Sequence, residues 1–370
     1  MSPLRALARV NVAAIERNVA RLRRELRPGS DLCAVVKADG YGHGALPAAC
    51  AALAGGATWL AVATANEATA LRAAGVEGPL LVLGALSPEE LDAALSARAD
   101  VVAWREAFVD AVAARGGGRV HVKLDTGMGR LGTRDPEEAT RVLEAAAANA
   151  PVQLVGAMTH FATADERGDD FFGEQLARFD AWAQPLRERH PGLVLHAANS
   201  AALLRDPGSH FDLVRAGVAI YGLDPFQEDA GARDLEPALE LASYVAEIKP
   251  CAAGESAGYG RRFVAQADTM IATVPIGYGD GVSRALTNNA ELLVGGTRFA
   301  LVGTVSMDNV TLDLGAAGDA GVQIGDEALL IAKGLPAEAM AQRLGTINYE
   351  VTCALTARVP REHHRDGAPL

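Results

Sequence analysis

A lysine delivered by a β-branched run, Val35-Val36-Lys37, and followed at once by a turn carrying Gly40, Gly42 and Gly44 is the stretch with the most chemical content. A strand that hands an amine to a glycine-rich turn and a helix is how an α/β barrel sets chemistry at the C-terminal ends of its strands. An amine whose pKa is lowered by burial or neighbouring cations forms a Schiff base with an aldehyde. The plainer alternative is a solvated lysine before an ordinary loop. Tyr41, in the same loop, offers a phenol that donates to a phosphate oxygen or packs on a barrel rim. Lys123-Leu124-Asp125-Thr126-Gly127-Met128-Gly129-Arg130 repeats the layout of strand, lysine and glycine-rich loop. Arg130 suits bidentate contact with a carboxylate or a phenolate-like oxygen, and a structural ion pair is the alternative for Lys123.

Three more clusters fall at the ends of apolar runs: Thr159-His160-Phe161-Ala162, His196-Ala197-Ala198-Asn199-Ser200 and Leu213-Val214-Arg215-Ala216-Gly217-Val218. Ser200 is expected to open a short helix, and helix N-termini bind phosphate through free amides. An arginine ending the last barrel strand points into the barrel mouth and effectively never deprotonates. His160 is a rim histidine on spacing alone.

These residues need elements to hold them. Asn11 caps a helix with Val12, Ile15, Val19 and Leu22 at helical spacing, and Pro28-Gly29 ends it. After the lysine strand, Leu32–Val36, strands are predicted at Trp59–Val62, Leu80–Leu83, Asp100–Ala103, Arg119–Leu124, Gln153–Thr159, Leu193–Ala197 and Leu213–Val218. Ser87-Pro88-Glu89-Glu90 has capping-box spacing with proline at the first helical position, and Asp135-Pro136-Glu137-Glu138 repeats it. Eight strand–helix units close a (β/α)8 barrel over residues 1–234. An open doubly wound sheet lacks its GxGxxG signature here. From 235 to 370 short runs separated by Gly and Asp (Tyr244–Ile248, Met270–Val274, Leu292–Val294, Phe299–Val302, Val310–Leu314, Ala328–Ile331) predict a mostly antiparallel β domain, with one helix over Pro336–Leu344 and a loose polar tail over Arg361–Leu370.

Bulk properties narrow the classes. With 370 residues, 49% hydrophobic and 22% charged, the chain reads as a two-domain globular protein. A formal charge of −12 disfavours nucleic acid. No apolar run spans a membrane, and the start Met1-Ser2-Pro3-Leu4-Arg5 has no secretory signal, so a cytoplasmic location is expected. Cys33, Cys50, Cys251 and Cys353 show no metal-binding spacing and read as buried thiols.

Val-Val-Lys-Ala-Asp-Gly-Tyr-Gly-His-Gly around Lys37 resembles the cofactor-lysine motif of alanine racemases, pyridoxal 5'-phosphate enzymes built from a barrel and a β domain. The likeness recurs along nearly the whole chain, in Ala257-Gly258-Tyr259-Gly260, Pro275-Ile276-Gly277-Tyr278-Gly279-Asp280, Ser306-Met307-Asp308 and Ile347-Asn348-Tyr349-Glu350. It implies racemisation of L- and D-alanine for peptidoglycan, by a homodimer with shared active sites. Lys37 would carry the cofactor as an aldimine and serve as one base. Tyr259, reaching the partner's site, would be the other, since racemisation removes a proton from one face of Cα and returns one to the opposite face. The resemblance further implies cofactor binding by Tyr41, Arg130, His160, Asn199, Ser200, Arg215, Gly217, Val218 and Tyr349. Arg215 would face the pyridine nitrogen without protonating it, leaving a weaker electron sink that favours proton return over transamination. Arg130 and the Met307 amide would bind the substrate carboxylate, Tyr278 and Asp308 would line the entry passage, and Lys123 matches a lysine often carbamylated in the family.

Two positions depart from the expected pattern: Ser306 stands where cysteine is common, and Gly279 where alanine is. Both bear on the width of the passage and so on substrate breadth. A related barrel decarboxylase would carry a glutamate in place of Arg215 and a Gly-Gly-Gly phosphate loop after the seventh strand. A broader amino-acid racemase and a non-catalytic cofactor carrier are the other readings, and carriers resemble only the barrel half.

Overall fold

A computed structural model describes residues 4–316 and 321–370; the first three residues of the start read above lie outside it. Two compact units form. One comprises Ile15–Phe226 with Asp234–Glu236, and the other the described residues up to Ala14, Gln227–Arg233 and the described residues from Pro237 on.

The strands in chain order are β1 (Leu7–Asn11), β2 (Asp31–Val35), β3 (Trp59–Val62), β4 (Leu80–Val82), β5 (Asp100–Ala103), β6 (Gly118–Lys123), β7 (Val152–Met158), β8 (Val194–His196) and β9 (Leu213–Ala216). Strands β2 to β9 make one parallel sheet in the order β8-β7-β6-β5-β4-β3-β2-β9. Its two ends meet where the Asp212 amide donates to the Leu195 carbonyl at 3.0 Å and the Arg215 amide to that of Ala198 at 2.9 Å. The expected barrel is therefore present, nearly closed and wrapped by helices. Its strands β3, β4 and β5 are buried throughout, as strands covered on both faces require. Ser87 and Glu90 form the expected capping box ahead of helix Pro88–Ser96. At Asp135 the device differs: Asp135 caps through the Glu137 amide at 2.9 Å, while Glu138 turns away to Thr133 and Arg105.

Among the described residues the other unit carries a ten-stranded sheet, in the order Glu247–Cys251, Thr269–Val274, Val310–Asp313, Thr297–Val302, Ala290–Val294, Glu327–Ile331, Leu239–Tyr244, β1, Arg361–Arg365, Ala368–Pro369. Every pairing is antiparallel except that of β1 with Arg361–Arg365. Three sequence expectations change here. The strand expected over Tyr244–Ile248 is the junction of two: Val245 donates to the Asp326 carbonyl and Ala246 to that of Thr273, so the chain changes neighbours at this point. The tail expected to be loose is paired, with Val10 opposite His363 and Arg365 opposite Ala368. Its side chains are polar and mostly exposed, but strand pairing satisfies backbone groups and needs no apolar pattern. Cys50 and Cys353 are exposed, whereas Cys33 and Cys251 are buried, all four as free thiols. No helix among the described residues is long and apolar enough to cross a membrane.

Candidate active site

Lys37 leaves β2 half-buried, and the backbone beyond it turns left-handed. Ala38, Asp39, Gly40 and Tyr41 have φ of 52°, 52°, 62° and 54°. Each non-glycine residue in this region costs roughly 1–2 kcal/mol, so something must hold the turn. Gly40 donates back to the Val36 carbonyl and Gly42 to that of Ala38. The Asp39 carboxylate accepts from the Ala45 amide at 2.9 Å, anchoring the start of the next helix. Glu67, on the helix after β3, accepts from the Ala38 amide at 2.6 Å through Oε1, and from the Ala63 and Thr64 amides at 2.8 and 3.1 Å through Oε2. One carboxylate thus ties the residue after Lys37 to the end of the neighbouring strand, at charge-assisted distances. Sequence reasoning missed Glu67, although Thr64 and Glu67 stand in capping-box spacing.

Arg215 is almost wholly buried at the C-terminal end of β9. Its Nη1 lies 2.8 Å from His196 Nδ1. Its Nη2 donates to the carbonyls of Thr159 and Ala197 at 2.8 and 2.9 Å and lies 3.3 Å from His160 Nδ1. The guanidinium therefore bridges the ends of β7 and β8 in the barrel mouth. Guanidinium is a donor only, so both histidine Nδ1 atoms accept. Burial, followed by the charges of Arg215, Lys123, Arg130 and Lys37, pushes His160 well below the ordinary histidine range and keeps it neutral. Burial also lowers Arg215 itself, to about 10, leaving it a cation at neutral pH.

Lys123, at the end of β6, is 4% exposed. Burial, then Arg215 and Arg130, lower its amine to about 8, with Asp125 opposing. The glycine-rich loop beyond is shaped by Asp125, whose carboxylate accepts from the amides of Gly127 and Gly129 at 3.0 and 2.9 Å. Arg130 rides on that loop, exposed.

Tyr41 and Ser200 converge on β9. A side chain at 217 would bring its first carbon within 2.5 Å of the Tyr41 hydroxyl, so only glycine leaves this space open. Ser200 Oγ accepts from the Gly217 amide at 2.9 Å and the Ala219 amide at 3.3 Å. The Gly217 amide, expected to serve a phosphate, is thus directed to Ser200 here, with Val218 next to it in chain. Asn199 caps the Ser200–Arg205 helix through the Ala202 amide at 2.9 Å. Tyr221 backs the cradle: fully buried, it donates to the Val35 carbonyl at 3.0 Å and its ring lies 5.1 Å from that of Tyr41. The mouth gathers four cationic side chains, two hydroxyls and a glycine-lined space, a set that fits a phosphorylated aldehyde beside an amino-acid carboxylate.

The remaining candidates lie in the β unit, around the loop 303–309. Tyr259 is 75% exposed, Tyr278 42% and Met307 50%. The Tyr259 carbonyl accepts from the Thr304 hydroxyl at 2.6 Å, and the Tyr278 and Gly279 amides donate to the Ser306 and Met307 carbonyls at 3.0 and 2.9 Å. Asp308 pairs with Arg358 at 2.6 Å. The structure so groups Tyr259, Tyr278, Met307 and Asp308 on one loop system. Tyr349 sits apart from that loop in chain, half-buried on helix Asn348–Cys353, which sequence reasoning did not predict.

Comparison with known proteins places nearly the whole chain in one family. The alanine racemase N-terminal domain matches residues 10–225 and its C-terminal domain residues 238–363. The alanine racemase of Desulforamulus reducens is 40% identical over 362 residues, covering 96% of this chain and 97% of that protein. That of Thermobifida fusca is 41% identical over 369 residues, covering 96% and 97%. Among solved structures, alanine racemase from D-cycloserine-producing Streptomyces lavendulae superposes with a TM-score of 0.92 at 36% identity over 98% of both chains. The Bacillus anthracis alanine racemase with bound L-Ala-P gives 0.90 at 36% over 99% and 96%. The chain belongs to the alanine racemase family of isomerases.

Proposed function

We propose that the chain interconverts L- and D-alanine with pyridoxal 5'-phosphate held at Lys37, as a cytoplasmic homodimer that supplies D-alanine for peptidoglycan. The observation that carries this reading is the buried Arg215 guanidinium bridging the ends of β7 and β8 beside His160, in the barrel whose strand β2 leads into Lys37 and whose strand β6 ends at Lys123. Lys37 Nζ would bind the cofactor, Tyr41 and Ser200 would hold its phosphate with Gly217, Val218 and Tyr349, and Asn199 would keep the Ser200 helix in place. Bound there, the cofactor supplies a sink for the electrons left on Cα when its proton departs. Arg215 would donate to the ring nitrogen without surrendering a proton, which would keep that sink weak and favour return of the proton to Cα.

Proton traffic uses two groups. Lys37 Nζ takes or gives the Cα proton on one face, and the Tyr259 hydroxyl, lent by the partner subunit, does so on the other. Arg130 and the Met307 amide orient the substrate carboxylate, with Tyr278 and Asp308 lining the way in. Lys123, with an amine near 8, has a neutral fraction at physiological pH able to add carbon dioxide. The resulting carbamate would be anionic and would replace repulsion of Arg130 by attraction. The test is direct: purified protein is incubated with each alanine enantiomer, with and without added cofactor, and optical rotation is followed. Decay of rotation from both enantiomers toward zero, dependent on the cofactor, is expected; rotation that holds steady with cofactor present rejects the reading.

A further inference from the structure

Arg215 is buried, yet among the described residues no carboxylate hydrogen-bonds it directly. Its route to a negative charge runs through the barrel interior. His196 Nε2 lies 2.9 Å from His121 Nδ1, and His121 Nε2 lies 3.1 Å from Asp100 Oδ2. Asp100, His121 and His196 are each at most 1% exposed. Asp100 opens β5 at the base of the barrel and His196 ends β8 at its mouth, so the file runs from floor to rim. A barrel interior is ordinarily filled by branched aliphatic side chains, and four polar groups in one connected line are a departure from that.

The donor chemistry gives the line a single direction. Arg215 only donates, so His196 Nδ1 accepts and the His196 hydrogen sits on Nε2. His121 Nδ1 must then accept from His196, which places the His121 hydrogen on Nε2 as well, donating to Asp100. Each bond thus donates away from Arg215 and toward the carboxylate, and bonds aligned in this way polarise one another. Burial opposes ionisation of Asp100, but donation from His121 and Arg119 outweighs it and holds the carboxyl below its usual range. The backbone makes room for the line. A side chain at Gly156 would collide with His121 Nδ1, and the pairing of β6 with β7 shifts register between Val120 and His121.

We propose that Asp100 is the remote counter-charge of Arg215, acting through His121 and His196, and that these three are positioning residues that set how strongly Arg215 donates at the barrel mouth. The inference rests on the reading of that mouth as a pyridoxal phosphate site, but its first test does not. In cofactor-free protein labelled with 15N-histidine, long-range proton–nitrogen spectra should show His121 and His196 both with hydrogen on Nε2 and a bare Nδ1. Hydrogen on Nδ1 of either ring overturns the proposal whatever the protein catalyses. The second test is Asp100→Asn, which keeps an acceptor for His121 and removes the charge. With the counter-charge gone Arg215 should donate more strongly at the barrel mouth, and transamination per racemisation turnover should rise severalfold. Gly156→Ala, which crowds His121 and the Val194 carbonyl while keeping every member of the line, should move that ratio in the same direction. A merely structural role would lower melting temperature in these variants and leave the ratio unchanged, and that result would refute the assignment.

Discussion

At the scale of single residues, the amines of the barrel mouth are the most exposed to test. Lys37→Ala is expected to abolish the visible absorbance of lysine-bound pyridoxal phosphate and nearly all activity; retention of both would show that a different lysine is used. Arg215→Glu would place a proton-accepting carboxylate where a donor stood, and transamination should rise relative to racemisation. An unchanged product ratio would count against the account of Arg215. Lys123 makes a stability prediction with a definite sign. Its amine titrates at about 8 in the folded chain against an ordinary 10.5. The folded state binds the proton less tightly, so a penalty of about 3 kcal/mol is fully present below pH 8 and is relieved as pH rises toward 10.5. Lys123→Met should therefore be more stable than the parent at pH 7 by up to that amount, with the gap closing by pH 10. Denaturant unfolding at the two pH values reads it, and a gap that does not narrow would mean the amine is not held neutral-leaning. Added bicarbonate should shrink the gap at pH 7 if Lys123 is carbamylated. Lys37 and Arg215 were legible in sequence because each ends a β-branched or apolar run before glycine. His121 and Asp100 were not: they lie inside runs that read as plain strand, and nothing local marks a polar side chain as facing another strand's.

Elements explain why Lys37 is held where it is. The left-handed turn at Ala38–Tyr41 is strained, and Glu67 satisfies the first amide that the turn leaves unpaired. Glutamine at 67 has one acceptor oxygen for three amides and sets an amino group against the others, so Glu67→Gln should loosen the turn. Thr64→Ala removes the cap of Glu67's own helix without touching Ala38, which separates the two roles. Hydrogen exchange over residues 38–44 of cofactor-free protein is expected to speed up at least tenfold in Glu67→Gln, equivalent to about 1.4 kcal/mol, and to stay near the parent rate in Thr64→Ala. Equal acceleration in both would reduce Glu67 to an ordinary helix cap. The barrel strands themselves were readable almost to the residue, since buried parallel strands announce themselves as short apolar runs between turns. Left-handed backbone was not readable, because Ala38 has no preference for it and a single Asp39 is too weak a signal, and contacts from a second element hold the turn there.

At the scale of the molecule, sequence reasoning failed where pairing depends on backbone alone. Strand β1 and the polar strand Arg361–Arg365 pair with each other from the two ends of the chain, and neither carries an alternation strong enough to be seen. The β unit these ends complete presents Tyr259, Tyr278 and Met307 together, each more than two-fifths exposed. Exposed aromatic and methionine side chains in one patch are the composition of a protein interface, and a phenol this open to solvent on its own chain is suited to a site supplied by another. The dimer with shared sites makes a quantitative prediction from two variants that are each inactive. In the proposed two-fold dimer every site would take Lys37 from one subunit and Tyr259 from the other. Mixing Lys37→Ala with Tyr259→Phe subunits by unfolding and refolding makes about half the dimers hybrid. Each hybrid then has one site with both residues intact and one with neither, so about a quarter of parental activity should return. If each chain instead built its own site, every site in the hybrid would still lack one group and no activity would return. Sedimentation of the parent at assay concentration supplies the complementary reading, since a fully active monomer would exclude a partner's tyrosine from the reaction.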